Sequence, residues 1–173
     1  ASAVYNLIND DATARKLTVP ASVTLTASGV ICVLSKNGTP PAGSNPRVRI
    51  FDSGNNTVAN STVTIDLDSL STNASGKRSM FLFGGLVSLT AGVYRVVFDC
   101  ASSTSSANCW RLTAGTPASA ACAPTNFSAS TAPDIATPVW TDTTDQFPVR
   151  LLLANISGAA AGGGPIFGGM VIS

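Results

Sequence analysis

The sequence predicts an all-β protein, an antiparallel β-sandwich. Three observations carry that prediction. Short β-prone runs alternate with period two and stop at turn residues, as in RVRIFDSGNN at 47–56. The stretch LTAGVYRVVFDC at 89–100 turns at Ala91 and Gly92 and leaves on a run rich in aromatic and β-branched residues, which suit a pleated, half-buried surface. No sustained three-four spacing appears, and no capping box precedes an apolar run.

The elements follow in order. KLTVPASVTLT alternates from Leu17 to Thr26, and Pro20 marks an edge or a strand break. GVICVL at 29–34 is nearly continuous apolar and reads as a buried strand. Asn-Gly and Pro-Pro punctuate a loop over 36–46. RVRIF then places Val48 and Ile50 on one face and Arg47, Arg49 and Phe51 on the other. DSGNN at 52–56 is a turn with Gly and Asn suited to positive φ. Val63, Ile65 and Leu67 alternate next, and MFLFGGLVSL gives a pair of runs about Gly84 and Gly85. After the turn at 91–92, Tyr94, Val96 and Phe98 share one face, while Val93, Arg95 and Val97 share the other. WRLTAG is a further strand, and the small, Pro-punctuated text over 116–138 is an excursion rather than a second domain. Strands resume in PVWTDTTDQFPVRLLLANIS. The organisation is one domain over residues 1–157, with residues 1–15 as an N-terminal arm and a Gly-rich C-terminal arm over 158–173. Ile166, Phe167, Met170, Val171 and Ile172 make that second arm a candidate for docking on a neighbour, because they would otherwise be exposed.

Composition narrows the chemistry. Charged residues are 11% of the chain against 45% hydrophobic, so the surface is built of hydroxyls and small side chains rather than charge. A net charge of +1 supplies no field to steer nucleic acid or an anionic membrane, and the longest apolar runs are strand length, too short to span a bilayer. There is no His, and every acidic residue is Asp. The commonest general acids and bases are therefore missing, which argues against an enzyme.

Candidate sites are few. Asp66 and Asp68 stand two apart, on one face of a strand, where they can share a calcium ion with backbone carbonyls or simply solvate the outer face; no metal and no cofactor is assigned. Trp110, Trp140 and Tyr94 offer faces for stacking on sugar rings, with Asp142 among the polar groups beside them; core packing is the competing reading. Cys100 and Cys109 flank a Ser-rich loop and are expected to pair as a local disulfide, with Cys32 and Cys122 as a less certain second pair. Cys32 can equally be a small buried hydrophobe. No nucleophile elbow and no phosphate-binding loop appears.

The order of segments LSKNGTPPAG, RVRIFDSGNN, TVANSTVTIDLDSL, MFLF and LTAGVYRVVF, with WTDTTDQFPVRLLLANI later, resembles a jelly-roll-like β-sandwich module of phage virion structural and surface proteins. The resemblance covers about two-thirds of the chain, and its motifs are turn glycines and core apolars. It implies a jelly-roll-like sandwich on a virion surface: a capsid decoration or cement protein, or a tail fibre component. Sandwiches leave edges that symmetric assembly can cover, so the expected partners are copies of the chain itself, as a trimer, and other virion proteins such as the major capsid or tail protein. A carbohydrate-binding adhesin that recognises cell-surface glycans is the alternative.

Overall fold

The computed structural model describes residues 4–8, 11–65, 76–100, 105–113, 129–132, 136–143 and 149–158. They form eleven strands and, among the described residues, no helix. The strands are Val4–Leu7 (β1), Ala12–Val19 (β2), Thr24–Asn37 (β3), Pro46–Phe51 (β4), Val63–Thr64 (β5) and Lys77–Leu89 (β6). Gly92–Cys100 (β7), Cys109–Thr113 (β8), Ala129–Ala132 (β9), Thr141–Thr143 (β10) and Arg150–Ser157 (β11) follow.

Two antiparallel sheets face each other as a sandwich. One runs β10-β9-β2-β7-β4-β5. The other is organised by β3, which is long enough to serve three partners. β6 pairs along one edge over Leu25–Leu34, while β11 and then β8 share the opposite edge, with β1 beyond β8. The chain crosses between sheets at most of its connections, a jelly-roll-like habit. The turn after Leu89 is one of these crossings: it lifts the chain out of the sheet that holds β6 and delivers Gly92 into the sheet that holds β7.

Period-two alternation builds the core. Leu25, Ala27, Val30, Cys32, Leu34, Phe81, Val87, Leu89 and Trp110 face inward from one sheet. Leu17, Val19, Val48, Ile50, Val96 and Phe98 meet them from the other. The faces of β4 and β7 are therefore those that the sequence predicts. GVICVL departs from expectation, since Ile31 and Val33 are only half-buried and lie on the outer face, opposite Met80 and Arg78 of β6. The β3–β6 ladder shifts register near Gly29: Ala27 pairs with Val87 and Gly29 with Leu82, so residues 83–86 of β6 bulge opposite Ser28. A Cβ at Gly29 would come within 2.4 Å of the Phe81 carbonyl oxygen, so only glycine allows that approach.

Two expectations need correction. The N-terminal arm expected over residues 1–15 contributes strands to both sheets: β1 pairs with β8, and β2 lies between β7 and β9. The disulfide expected between Cys100 and Cys109 is not formed; both are free thiols, as is Cys32 in the core. Cys100 ends a strand of one sheet, and Cys109 opens a strand of the other. The Cys100 thiol donates to the Leu7 carbonyl at 3.3 Å, and the Cys109 thiol donates to that of Ser106 at 3.6 Å. The intervening turn is fixed by other bonds: Asn37 donates to the Ser106 carbonyl, and Asn108 accepts from the Thr39 backbone N–H, each at 2.9 Å. Cys122 lies outside the described residues, as do Asp66, Asp68 and the whole of 159–173.

Candidate functional site

The densest set of chemical groups stands on the outer face of the six-stranded sheet. β4 and β7 are in register there, with Arg47 opposite Asp99, Arg49 opposite Val97 and Phe51 opposite Arg95. β2 extends the face with Ala14 opposite Val97 and Lys16 opposite Arg95. The alternation that turns Val48, Ile50, Val96 and Phe98 into the core thus turns four cations toward one another on the other side.

Asp99 holds that arrangement together. It is 1% exposed. Its carboxylate accepts a two-pronged bond from Arg47, from Nε at 2.9 Å and from the terminal nitrogen at 2.8 Å. A second guanidinium, that of Arg49, closes on the same carboxylate. The fork geometry of arginine suits such pairing, and the Asp99 hydrogen bond pushes the Arg47 pKa up.

Trp140 caps the neighbouring ground. It packs against a small second cluster of Ala12, Ala14, Phe51 and Val97. Its ring meets Phe51 edge-on at 6.4 Å, and the Arg95 guanidinium lies 5.2 Å over it. Its indole N–H donates to the Asn55 side-chain oxygen at 2.8 Å, and Asn55 donates back to the Pro138 carbonyl at 3.2 Å. Asn55 is aimed by its turn. Asp52 accepts from the backbone N–H of Gly54 and Asn56, which lowers the Asp52 pKa and lets Asn55 take φ 65°. Asp142 completes the site, with Lys16 at 2.7 Å and Arg95 at 3.9 Å.

The arrangement is a lock. Ring faces, the Arg47 fork and the carboxylates are engaged with one another, while the Nε atoms of Arg49 and Arg95 are buried without a hydrogen-bond partner among the described residues. Together these groups fasten the turn at 52–56 and the segment 136–143 onto the sheet. Trp140→Ala is expected to lower stability by about 2 kcal/mol and Asn55→Ala by about 1 kcal/mol. Because both remove one shared bond, the double variant should lose less than the sum in urea denaturation.

Of the residues proposed for sugar contact, Trp140 and Asp142 come together here and Trp110 does not. Trp110 is buried in the core of the other sheet, opposite Leu7 of β1, so its ring is covered by protein and cannot form a platform with Trp140. Tyr94 packs on that same core. Sequence reasoning missed Asp99 and Asn55. The signal for Asp99 was present in the outward faces of RVRIF and YRVVFD, but the pairing of those two strands was not. Among the described residues no cluster of three or more His, Cys, Asp or Glu side chains is arranged to hold a metal. No protein-family model and no curated protein sequence matches the chain.

Proposed function

We propose that this chain is a non-enzymatic structural protein of a virion exterior, a phage capsid decoration or cement protein or a tail fibre component, that works by assembling with copies of itself and with other virion proteins. The observation that carries the assembly reading is an apolar stripe on the outside of the sandwich. Met80, Leu82 and Leu86 of β6 are 52%, 55% and 60% exposed on one face of one strand. Ile31, Val33 and Leu152 lie half-buried beside them. Contiguous exposed apolar surface of this kind marks an interaction site. The virion setting rests on the resemblance of the strand-and-turn order to phage modules. The missing His and Glu side chains support a structural rather than a catalytic role.

Light scattering on the full chain and on a chain ending at Gly158 tests this reading. The full chain is expected to be a homo-oligomer, a trimer in this reading, that dissociates on truncation. β11 ends at Ser157, so the truncation keeps every described strand. A monodisperse monomer in both cases would overturn it. The carbohydrate-binding reading retains only Trp140 and Asp142; binding on a glycan array that Trp140→Ala abolishes would restore it.

A further inference from the structure

Among the described residues β6 has an edge with no hydrogen-bonded strand beside it, although β5 and Asn60 from the facing sheet come close to it. The strand has thirteen residues, and among the described residues β3 is the only strand hydrogen-bonded to it. The other sheet edges are shorter, with β11 at eight residues and likewise hydrogen-bonded only to β3 among the described residues, β1 at four, β10 at three and β5 at two. Proteins blunt long edges with charge, bulges or a cover, because an open row of N–H and C=O groups templates another strand. β6 carries Lys77 and Arg78 only at its start and bulges once, at 83–86, while its outward residues from 80 onward are Met80, Leu82, Gly84, Leu86 and Ser88. The edge therefore has the character of a surface that a further strand occupies.

The chain contains a segment written like β6 itself. Residues 82–87 read LFGGLV, and residues 166–171 read IFGGMV. Phe, Gly, Gly and Val coincide, and the other two positions exchange one unbranched or branched apolar side chain for another. In β6 the first and fifth of these residues, Leu82 and Leu86, face out, and the second and sixth, Phe83 and Val87, face in. A strand with the same pattern beside β6 continues both layers. Ile166 and Met170 extend the outer stripe, while Phe167 and Val171 extend the core.

The register of the sheet bears on where such a strand comes from. Ser157 pairs with Thr24 and Leu89 pairs with Leu25, so β11 and β6 end at the same end of β3, on opposite sides of it. The open edge of β6 is three strand spacings from the end of β11, about 14 Å. Residues 159–164, AAAGGG, reach about 20 Å when fully extended. Crossing two strand ends takes about 14 Å of that, and the reversal of direction must be made within the remainder. Short, taut hinges of this kind favour exchange between copies over closure within one.

We propose that residues 165–172 of one copy add as an antiparallel strand to the open edge of β6 in a neighbouring copy. This inference rests on the assembly reading above and names its receiving surface. Strand addition supplies main-chain hydrogen bonds, and the alternate side chains supply specificity.

The test uses three full-length proteins: the unmodified chain, Leu82→Lys with Leu86→Lys, and Ile166→Asp with Met170→Asp. Leu82 and Leu86 are exposed, so lysine there leaves the fold intact, which near-ultraviolet circular dichroism checks. Each protein is measured by light scattering and by amide exchange of β6 peptides. The unmodified chain is expected to be an oligomer with slowly exchanging β6 amides. Both variants are expected to fall to monomers, with loss of protection at the alternate β6 amides that do not bond β3. An oligomer that the Ile166/Met170 variant dissolves while β6 exchange stays unchanged keeps the arm as an assembly device and sinks β6 as its receptor. A monomer whose β6 is protected until Ile166 and Met170 are changed sinks the exchange, since the segment then folds back on its own copy. A monomer with fast β6 amides sinks both this inference and the assembly reading.

Discussion

Asp99→Asn is expected to lower the stability of the folded chain by about 3 kcal/mol, read as a shift in the urea midpoint at constant slope. The substitution keeps the shape of the side chain and removes its charge. Two guanidiniums that met a carboxylate then meet an amide, and one of the amide's two polar atoms is a donor facing donors. Removing one partner of a buried ion pair ordinarily costs 3–5 kcal/mol, about as much as a protein's largest single-residue effects. Here the low end applies, because the side chains of Arg47 and Arg49 keep 26% and 17% of their exposure and water can share their charge. Asp99 itself has no such recourse, since it is buried on a face where the strands leave it 2.8–2.9 Å from Arg47. Arg47→Met should also destabilise, and the pair of substitutions together should cost clearly less than their sum, since the second removes a charge that the first stranded. A loss below about 1 kcal/mol for Asp99→Asn would place the pair among surface salt bridges of little worth and would remove the lock from the account of the sheet.

What the sequence made legible, and what it did not, follows from the range of the signals. Period-two alternation is local, so it assigned the faces of RVRIF and of VYRVVF, and local turn chemistry marked the bend at 52–56. Sheet membership is non-local. Nothing in LTAGV says that the chain leaves one sheet at Leu89 and joins the other at Gly92. Nothing in CASSTSSANC says that its first cysteine ends a strand of one sheet and its last opens a strand of the other, so a spacing suited to a local staple was misleading. The N-terminal residues were hidden for another reason. ATAR carries no large apolar side chain, yet Ala12 and Ala14 are buried under Phe51 and Trp140, and Thr13 and Arg15 are buried on the opposite face. Tertiary context outweighs composition there. Trp110 shows the same limit, since an aromatic on a short strand is equally suited to a core and to a platform until the partner strands are known. Asp99 and Asn55 matter only through residues more than forty positions away, and periodicity does not reach that far.

The free thiols of the core lead to the second large effect, a loss of stability on the alkaline side. Burial away from water pushes the Cys100 thiol up to about 12, with the charge of Asp99 adding to the rise, and burial pushes Cys32 up as well. In the unfolded chain the same thiols ionise near 9. Both folded pKa values are raised, so their contribution is fully present below pH 9 and is lost as pH climbs toward the folded values. Above pH 9 the unfolded chain sheds protons that the folded chain keeps, and the linkage slope is negative, about 1.4 kcal/mol per pH unit for each thiol. Between pH 9 and about 10.5 the two together should remove roughly 3 kcal/mol, since the unfolded thiols are only half ionised at pH 9, and that is a large share of a typical folding free energy. Cys109, also pushed up by burial, acts in the same direction. Urea midpoints measured across that range should fall steeply in the unmodified chain, and Cys32→Ala and Cys100→Ala should each remove a similar share of the slope while costing some stability at pH 7 through lost packing. The same burial predicts that iodoacetamide at pH 8 leaves the Cys32 and Cys100 peptides unmodified in the folded chain and labels both in urea, because the thiolate is the nucleophile. A flat midpoint from pH 8 to 10.5, or rapid labelling of either peptide in the folded state, would mean that the thiols are not held as the packing of β3 and β7 requires. If instead the labelled fraction in urea rose only after reduction, the cysteines would be bridged in the purified protein, and the separation of the two sheets around 101–108 would have to be redrawn.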